Sequence, residues 1–355
     1  MLEHKIRIGV DIGGTFTDFV IFDEVECLVK SFKLLSTPLS PEQVVLEGID
    51  KIFSSFRSDT TQAVLVHGST VATNTLIERK GASAALITTK GFKDVLKIGR
   101  QTRPNIYGFC TDDSLSLLDD DRCFEISERI AAGGDVLEPL AVDEIPNLIY
   151  QLRKKNVRSV AVSLLFSFIY PKHEQIIAEE LRNTGFFVSI SSEINPEFRE
   201  FERTSTTVVN AYVTPVLDEY IGKLEEKLPG DVKKLRIMQS NGGTISVSEA
   251  RVMGVNSILS GPAGGVVGAL YVSQISGIDQ IITLDMGGTS TDVSLLQGGT
   301  KLTTENVIDG IPIRLPMIDI HTVGAGGGSI AHIDAGGALK VGPNSAGSHP
   351  GPACY

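Results

Sequence analysis

Two stretches of the chain share one alternation of apolar and polar residues. IRIGVDIG, from Ile6, alternates as a half-buried strand does, the Gly13-Gly14 pair reverses the chain, and TDFVIFD returns with the same period. IITLDMGG, turned by Gly287 and Gly288, and the returning TDVSLL repeat the design. Between the copies, strands alternate with helices. Ser40 and Pro41 form an N-cap and first helical residue, and Val44, Val45, Ile49, Ile52, Phe53 and Phe56 fall on one helical face. AVLVHGS reads as a strand running into a helix over VATNTLIERKG that Gly81 closes, and ASAALITTKG as a strand before a short helix in FKDVLKIG. IPNLIYQLRKKN and HEQIIAEELRNTG read as helices, SVAVSLLFSF and FFVSISS as strands. This order predicts an α/β architecture with mixed sheets. A long helix is expected from Pro196 to about Leu228, bent at Pro215 and connecting two halves, with a domain boundary near 185–200.

Composition narrows the classes. The 355 residues, 42% of them hydrophobic, suffice for two buried cores. A formal charge of -11 and the lack of a long basic stretch argue against sequence-independent nucleic-acid binding. The N-terminal apolar run is too short for a secretory signal, and no run of about 18 apolar residues occurs to span a bilayer, so a cytoplasmic protein without membrane partners is expected. Cys27, Cys110, Cys123 and Cys354 are few and scattered, as reduced structural thiols are, and the six histidines form no HxH or HxxxH pair that would mark a transition-metal site.

Candidate chemistry concentrates in the repeat. A glycine hairpin lets backbone N–H groups approach an anion closely. In DIGGTFTD, Gly13, Gly14, Thr15 and Thr17 offer phosphate donors, and Asp11 and Asp18 can hold magnesium directly or through water. DMGGTSTD offers Gly287, Gly288, Thr289 and Thr291 with Asp285 and Asp292. Taken alone, each is also compatible with a tight polar hairpin. Offset by 274 positions, however, the two agree at six of eight residues, and two facing hairpins would clamp a triphosphate and its metal. Such a clamp calls for an adenosine loop downstream, and HTVGAGGGSIA supplies Gly324, Gly326, Gly327 and Gly328. SGPAGGVVGAL fits either an anion site, with Gly264 and Gly265 at a helix start, or close helix packing through small residues.

In VHGSTVATN, the residues His67, Ser69, Thr70, Thr73 and Asn74 lie past a strand's carboxyl end, where open α/β sheets place ligands; His67 suits either a substrate contact or a structural hydrogen bond. Arg100 and Arg103 in GRQTRPN can read a carboxylate or phosphate, or be solvated surface. The charges of FREFERTSTTVVNAY, Arg199 and Arg203 among them, are expected on the long helix's wet face, and the acidic run Asp119 to Asp121 on solvated surface. MQSNGG ends a further strand at the cleft.

These motifs together resemble the hydantoinase/oxoprolinase family, in particular its A-type subunit. GVDIGGTFTD, VHGSTVATNTLIERKGA, FREFERTSTTVVNAYV, MQSNGG, SGPAGG, LDMGGTSTDVSL and HTVGAGGGSIA carry the resemblance over nearly the whole chain. It implies a two-lobed actin-like ATPase fold of duplicated ribonuclease H-like domains, with ATP and Mg2+ between them. The N-terminal family domain would cover 1–190, and the hydantoinase A domain would begin at 191 and run through 355. It also implies ATP-dependent opening of a cyclic amide of the hydantoin or 5-oxoproline type, often beside a B-type subunit. Asp11 and Asp285 would serve catalysis and the metal, and His67, Ser69, Thr70, Asn74 and Arg100 the substrate. An acetone carboxylase-like ATP subunit and an actin-like nucleotide switch without turnover are the alternative readings. The chain stops in VGPNSAGSHPGPACY, a stretch beyond which family members continue, so a truncated gene or a split chain is expected.

Overall fold

Both glycine hairpins form, each joining two neighbouring antiparallel strands of its own sheet. The computed structural model describes residues 4–37, 40–55, 61–102, 116–288, 290–346 and 351; Phe56, Arg103, Cys110, Thr289 and Cys354 lie outside them. Strands β1 (His4–Ile12), β2 (Phe16–Asp23) and β3 (Leu28–Leu35) make an antiparallel meander. Helix α1 (Pro41–Ser55) lays Val45, Ile49 and Ile52 on Ile6, Ile8, Val10, Phe19 and Ile21. β4 (Thr61–Ser69) pairs parallel with β1. The following helix, α2 (Val71–Ile77), stops before Gly81, because Arg79 turns left-handed with φ 56°. Gly81 instead faces Tyr212, whose ring lies 2.2 Å from where a Cβ would stand.

An inserted unit follows. Strands β5 (Ala84–Thr89), β6 (Cys123–Ile126), β7 (Ser159–Ser163) and β8 (Phe187–Ile190) form a parallel sheet in the order β8-β7-β5-β6. Helices α3 (Ile145–Lys154) and α4 (Lys172–Asn183) supply Leu148, Leu152, Ile177 and Leu181 to its core. β5 and β7 are buried at every position, which is why they read as continuous apolar runs.

Helix α5 (Glu200–Lys227) runs unbroken through Pro215 and belongs to both cores. Val208, Val209, Ala211, Tyr212 and Val213 join a core with Leu86 and Ala161 of the inserted sheet, whereas Leu217, Tyr220, Ile221 and Leu224 pack on the first sheet. It therefore ties the first sheet to its insertion, not one duplicated lobe to the other. The expected wet face fails at Arg203, which is buried: its guanidinium donates to Leu164 O and Glu197 O and stacks over Phe168. A helix covered on all sides has no wet face there.

β9 (Val232–Met238) then returns to pair parallel with β4, and β10 (Thr244–Ser246) adds antiparallel to β9, giving a sheet ordered β10-β9-β4-β1-β2-β3. This sheet crosses the boundary expected at 190, since its last two strands come from beyond it. Helix α6 (Ser260–Ile275) leads to β11 (Gln280–Met286), β12 (Thr291–Gln297) and β13 (His321–Val323), an antiparallel sheet in chain order. β14 (Ser329–Ile333) and β15 (Leu339–Ser345) form a hairpin beside it. The α/β, two-lobed expectation is met. No helix among the described residues is long and apolar enough to cross a membrane.

The close seating of α1 on β2 depends on Gly48, where an added Cβ would lie 2.1 Å from the buried Phe19 ring. Phe19 is stacked on Phe32 at 4.8 Å and has little room to retreat. Gly48→Ala is expected to destabilise the chain by about 1–3 kcal/mol despite its better helix propensity, measured as a lowered urea midpoint at constant slope.

Candidate active site

The two hairpins are built alike down to single hydrogen bonds. In the first, Gly13 N donates to Phe16 O at 3.0 Å; in the second, Gly287 N donates to Ser290 O at 2.9 Å. Asp11 stands opposite Asp18 in the β1–β2 register, and Asp285 opposite Asp292 in β11–β12. The duplication in sequence is thus a duplication in structure.

The hairpins face one another. Protein crowded around the Asp11 carboxyl, together with the negative charges of Asp18 and Asp285, raises its pKa to about 6, although water still reaches it from the open cleft. Burial and Asp285 likewise raise the pKa of Asp292, against the hydrogen bond that Thr322 donates to it. Asp18 is held by Lys33 at 3.3 Å. Asp11 sits between two glycines that sequence reading did not single out: a Cβ at Gly68 would lie 2.8 Å, and one at Gly261 3.1 Å, from its Oδ1. The signal was present in VHGS and SGPAGG as glycines at a strand end and a helix start. The helix begins at Ser260, so Gly264 and Gly265 lie in its second turn, and it is Gly261 that meets Asp11.

Thr17 and Thr291 are buried and do not reach a ligand. The Thr17 hydroxyl bonds the Ser36 hydroxyl, which donates on to Gly13 O, and Thr291 donates to Ala325 O. They brace the hairpins, leaving Gly13, Gly14, Thr15, Gly287 and Gly288 at the surface of the tips; Thr289 lies outside the described residues. The glycine loop rests on the second tip, with Gly327 N donating to Gly287 O at 2.9 Å and Gly328 N to Gly288 O at 2.7 Å. Because Gly326 N is also taken, by Ser329 Oγ, this loop offers a ligand side-chain-free surface and not those three amides. Gly324 is itself closely overlaid, its carbonyl 2.2 Å from where a Cβ on Gly342 would stand.

Of the expected substrate residues, the structure gathers two. Thr70 and Asn74 line a cavity of about 400 Å³ that also reaches Gly13, Gly14, Tyr220 and Lys223. His67 lies on the buried face of β4, its Nε2 2.6 Å from Tyr220 Oη, and burial lowers its pKa to about 4, so it is a neutral structural group. Ser69 is buried too; it caps Val71 N and exchanges hydrogen bonds with Ser260. Arg100 is spent on a two-pronged ion pair with Glu202, away from the cavity. In the acidic run, Asp119, Asp120 and Asp121 pair with Arg122, Lys97 and Lys155.

Two family models match most of the chain, the Hydantoinase/oxoprolinase N-terminal region over residues 7–185 and Hydantoinase/oxoprolinase over 203–355. The chain belongs to the hydantoinase/oxoprolinase family. It is 38% identical to caprolactamase subunit alpha of Pseudomonas jessenii, over all of this chain and 53% of that protein. To 5-oxoprolinase 1 of Arabidopsis thaliana it is 37% identical, again over its whole length but 30% of that protein. The crystal structure of the ATP-dependent caprolactamase from Pseudomonas jessenii superimposes with a TM-score of 0.85 at 37% identity, covering 98% of this chain and 52% of that one. A nucleotide-free acetone carboxylase structure gives 0.78 at 27%, covering 97% and 51%. The fold is that of these actin-like ATPases, and the chain spans about half the length of the first curated relatives it matches. The two family models cover residues up to 185 and from 203, while strands of the first sheet come from both regions.

The raised pKa of Asp11 has a consequence for stability. A carboxyl that titrates at about 6 when folded and near 3.8 when unfolded binds its proton more tightly in the folded chain. Its contribution therefore favours folding below about pH 4 and is lost as pH rises through 6. Asp11→Asn is expected to melt higher than the parent at pH 7–8, with the difference closing by pH 4; thermal melts across that range check it.

Proposed function

We propose that this chain is the ATP-handling part of an ATP-dependent enzyme that opens a cyclic amide. The observation that carries the reading is the pair of glycine hairpins in matching register, with Asp11 of the first within reach of the charge of Asp285 in the second. An amide carbonyl resists water because its nitrogen donates into it. Bound ATP supplies a γ-phosphoryl group which, moved onto the amide oxygen, removes that resistance. The tips at Gly13–Gly14 and Gly287–Gly288 would hold the phosphates, one from each lobe, with catalysis coming mainly from positioning and charge neutralisation.

Magnesium fits the same place. The carboxylates beside Asp11 leave an excess of negative charge that a divalent cation relieves. Among the described residues no three potential ligand side chains gather as a dedicated metal site. That suits an ion held by Asp11 and Asp285 through water and by phosphate oxygens. Thr70 and Asn74 put a carbonyl-reading hydroxyl and amide beside the first tip, in a cavity large enough for a small ring. The similarity to caprolactamase, higher in both identity and TM-score than that to acetone carboxylase, favours a lactam-like ring over a ketone. A B-type hydantoinase subunit is the proposed partner for the later steps.

The test is phosphate release from ATP and Mg2+ across a panel of lactams, hydantoins and 5-oxoproline, with the partner subunit present. At least one ring is expected to raise the rate tenfold or more, and Asp285→Asn to lower that ring-dependent rate by roughly 10²-fold or more. Release indifferent to every ring would sink the proposal.

A further inference from the structure

The cavity that holds Thr70 and Asn74 has a further wall, contributed by α1 and α5, whose chemistry the transfer of a phosphoryl group does not use. Glu42, in the first turn of α1, lines it and is only 7% exposed. A carboxylate in the first turn of a helix ordinarily accepts the unpaired amides there. Glu42 accepts no hydrogen bond and forms no ion pair among the described residues. A carboxylate buried without a partner costs folding energy, so its side of the cavity is built for a ligand that supplies one.

The other charges on the wall are already matched. Lys80 donates to Glu78 at 2.7 Å and Lys223 to Glu219 at 2.9 Å, and these four side chains are largely exposed, at the mouth. Lys223 feels the charge of Glu42 but is spent on Glu219. The unmatched charge is therefore the buried one. Tyr220 adds to it. His67 Nδ1 faces Val10 O at 3.4 Å, and a carbonyl can only accept, so Nδ1 carries the hydrogen of the neutral ring and Nε2 is bare. Tyr220 Oη then donates to Nε2 at 2.6 Å, and what it turns to the cavity is lone pairs. Asn74 Nδ2, 3.4 Å from Thr70 Oγ1, keeps its second hydrogen for a ring carbonyl. The wall thus offers a carboxylate and a phenol oxygen that both accept, and an amide that donates.

We propose that Glu42 makes this cavity select a cyclic amide carrying an ammonium group, an aminolactam, and reject rings that carry a carboxylate, such as 5-oxoproline. The proposal rests on the reading of this cavity as the ring's site. The ammonium donates to the Glu42 carboxylate and to Tyr220 Oη, while the ring carbonyl accepts from Asn74. A plain lactam fills the space and leaves Glu42 uncompensated. A ring carboxylate adds a second negative charge, and the cations that could meet it, Lys80 and Lys223, are engaged. A metal ion is a poorer occupant, because among the described residues no three ligating side chains gather.

The test is calorimetric titration of the full chain without ATP, so that its outcome is separate from phosphoryl transfer. The ligands are α-amino-ε-caprolactam, ε-caprolactam and 5-oxoproline, at about pH 6 where the amine is protonated. The aminolactam is expected to bind at least about tenfold tighter than ε-caprolactam, and 5-oxoproline at least about tenfold weaker. Glu42→Gln is expected to bring the first ratio near one, whereas Glu78→Gln, at an exposed pair, leaves it within about twofold. Glu42→Gln is also expected to melt no lower than the parent, since it removes an unpaired buried charge. A lower melting point with the ammonium preference intact would make Glu42 a helix-dipole group and overturn the proposal. Equal affinity for the three rings, a preference for 5-oxoproline, or no binding of any ring would overturn it as well. Phosphate release that answers to ε-caprolactam and not to the aminolactam would remove this inference and leave the ATP-dependent opening of a cyclic amide standing.

Discussion

The site is organised around a carboxyl whose charge is opposed first by burial and then by its neighbours. Asp11 is held where Asp18 and Asp285 push against it and where protein crowds out part of its hydration, and both effects oppose its charge. A side chain free to move would turn away. Asp11 does not, because its strand is fixed on both edges, by β2 and by β4, and because its carboxylate occupies a slot that exists only where residues 68 and 261 carry no side chain. Unfavourable charge kept in place by favourable packing is a mark of functional sites in general, since a fold gains nothing in stability from it.

Each hairpin is braced by the same positions, and the correspondence extends beyond the residues that match in sequence. Thr17 and its counterpart Thr291 each turn a buried hydroxyl toward the next loop of their own lobe, to Ser36 and to Ala325. Asp18 and its counterpart Asp292 are each held by the residue directly opposite on the third strand, Lys33 in one lobe and Thr322 in the other. The partners differ in kind. Lysine forms an exposed ion pair with Asp18, whereas threonine donates a hydrogen bond to Asp292. The hairpin tips were kept alike, and the partners of the second aspartates were not.

What the sequence made legible is what depends on neighbours in the chain. The hairpins, the parallel insertion and the helix at Pro41 follow from period and turn chemistry within a few residues. His67 was legible in principle: Leu65, His67 and Ser69 alternate onto one face of β4, and all three are buried. Proximity to a strand's carboxyl end pointed to a ligand, but parity pointed inward, and parity prevails because a strand's side chains cannot choose their face. Arg203 had no such signal. A helix enclosed by two cores loses the amphipathic period that marks its wet side, and what remains to hold a buried guanidinium, the Leu164 and Glu197 carbonyls, comes from loops no local pattern connects to it. The return of β9 to the first sheet is also non-local, since a whole inserted domain separates it from β4.

The two hairpins are set at their working distance by one element. The start of α6 is fixed to the first lobe: Leu259 N donates to Thr73 Oγ1, Ser260 exchanges hydrogen bonds with Ser69, and Gly261 lies against Asp11. Its body is fixed to the second lobe, through Ala263 and Val266 on Ile281, Leu296 and Ile318. The same helix thus touches the carboxylate of one hairpin and supports the strands of the other. Substituting Gly261 would push directly on Asp11, whereas a change at Val266 would shift the second hairpin relative to it. This explains why SGPAGG carries small residues at its start and apolar ones after it: the first turn must come close to a charge, and the turns that follow must hold a sheet.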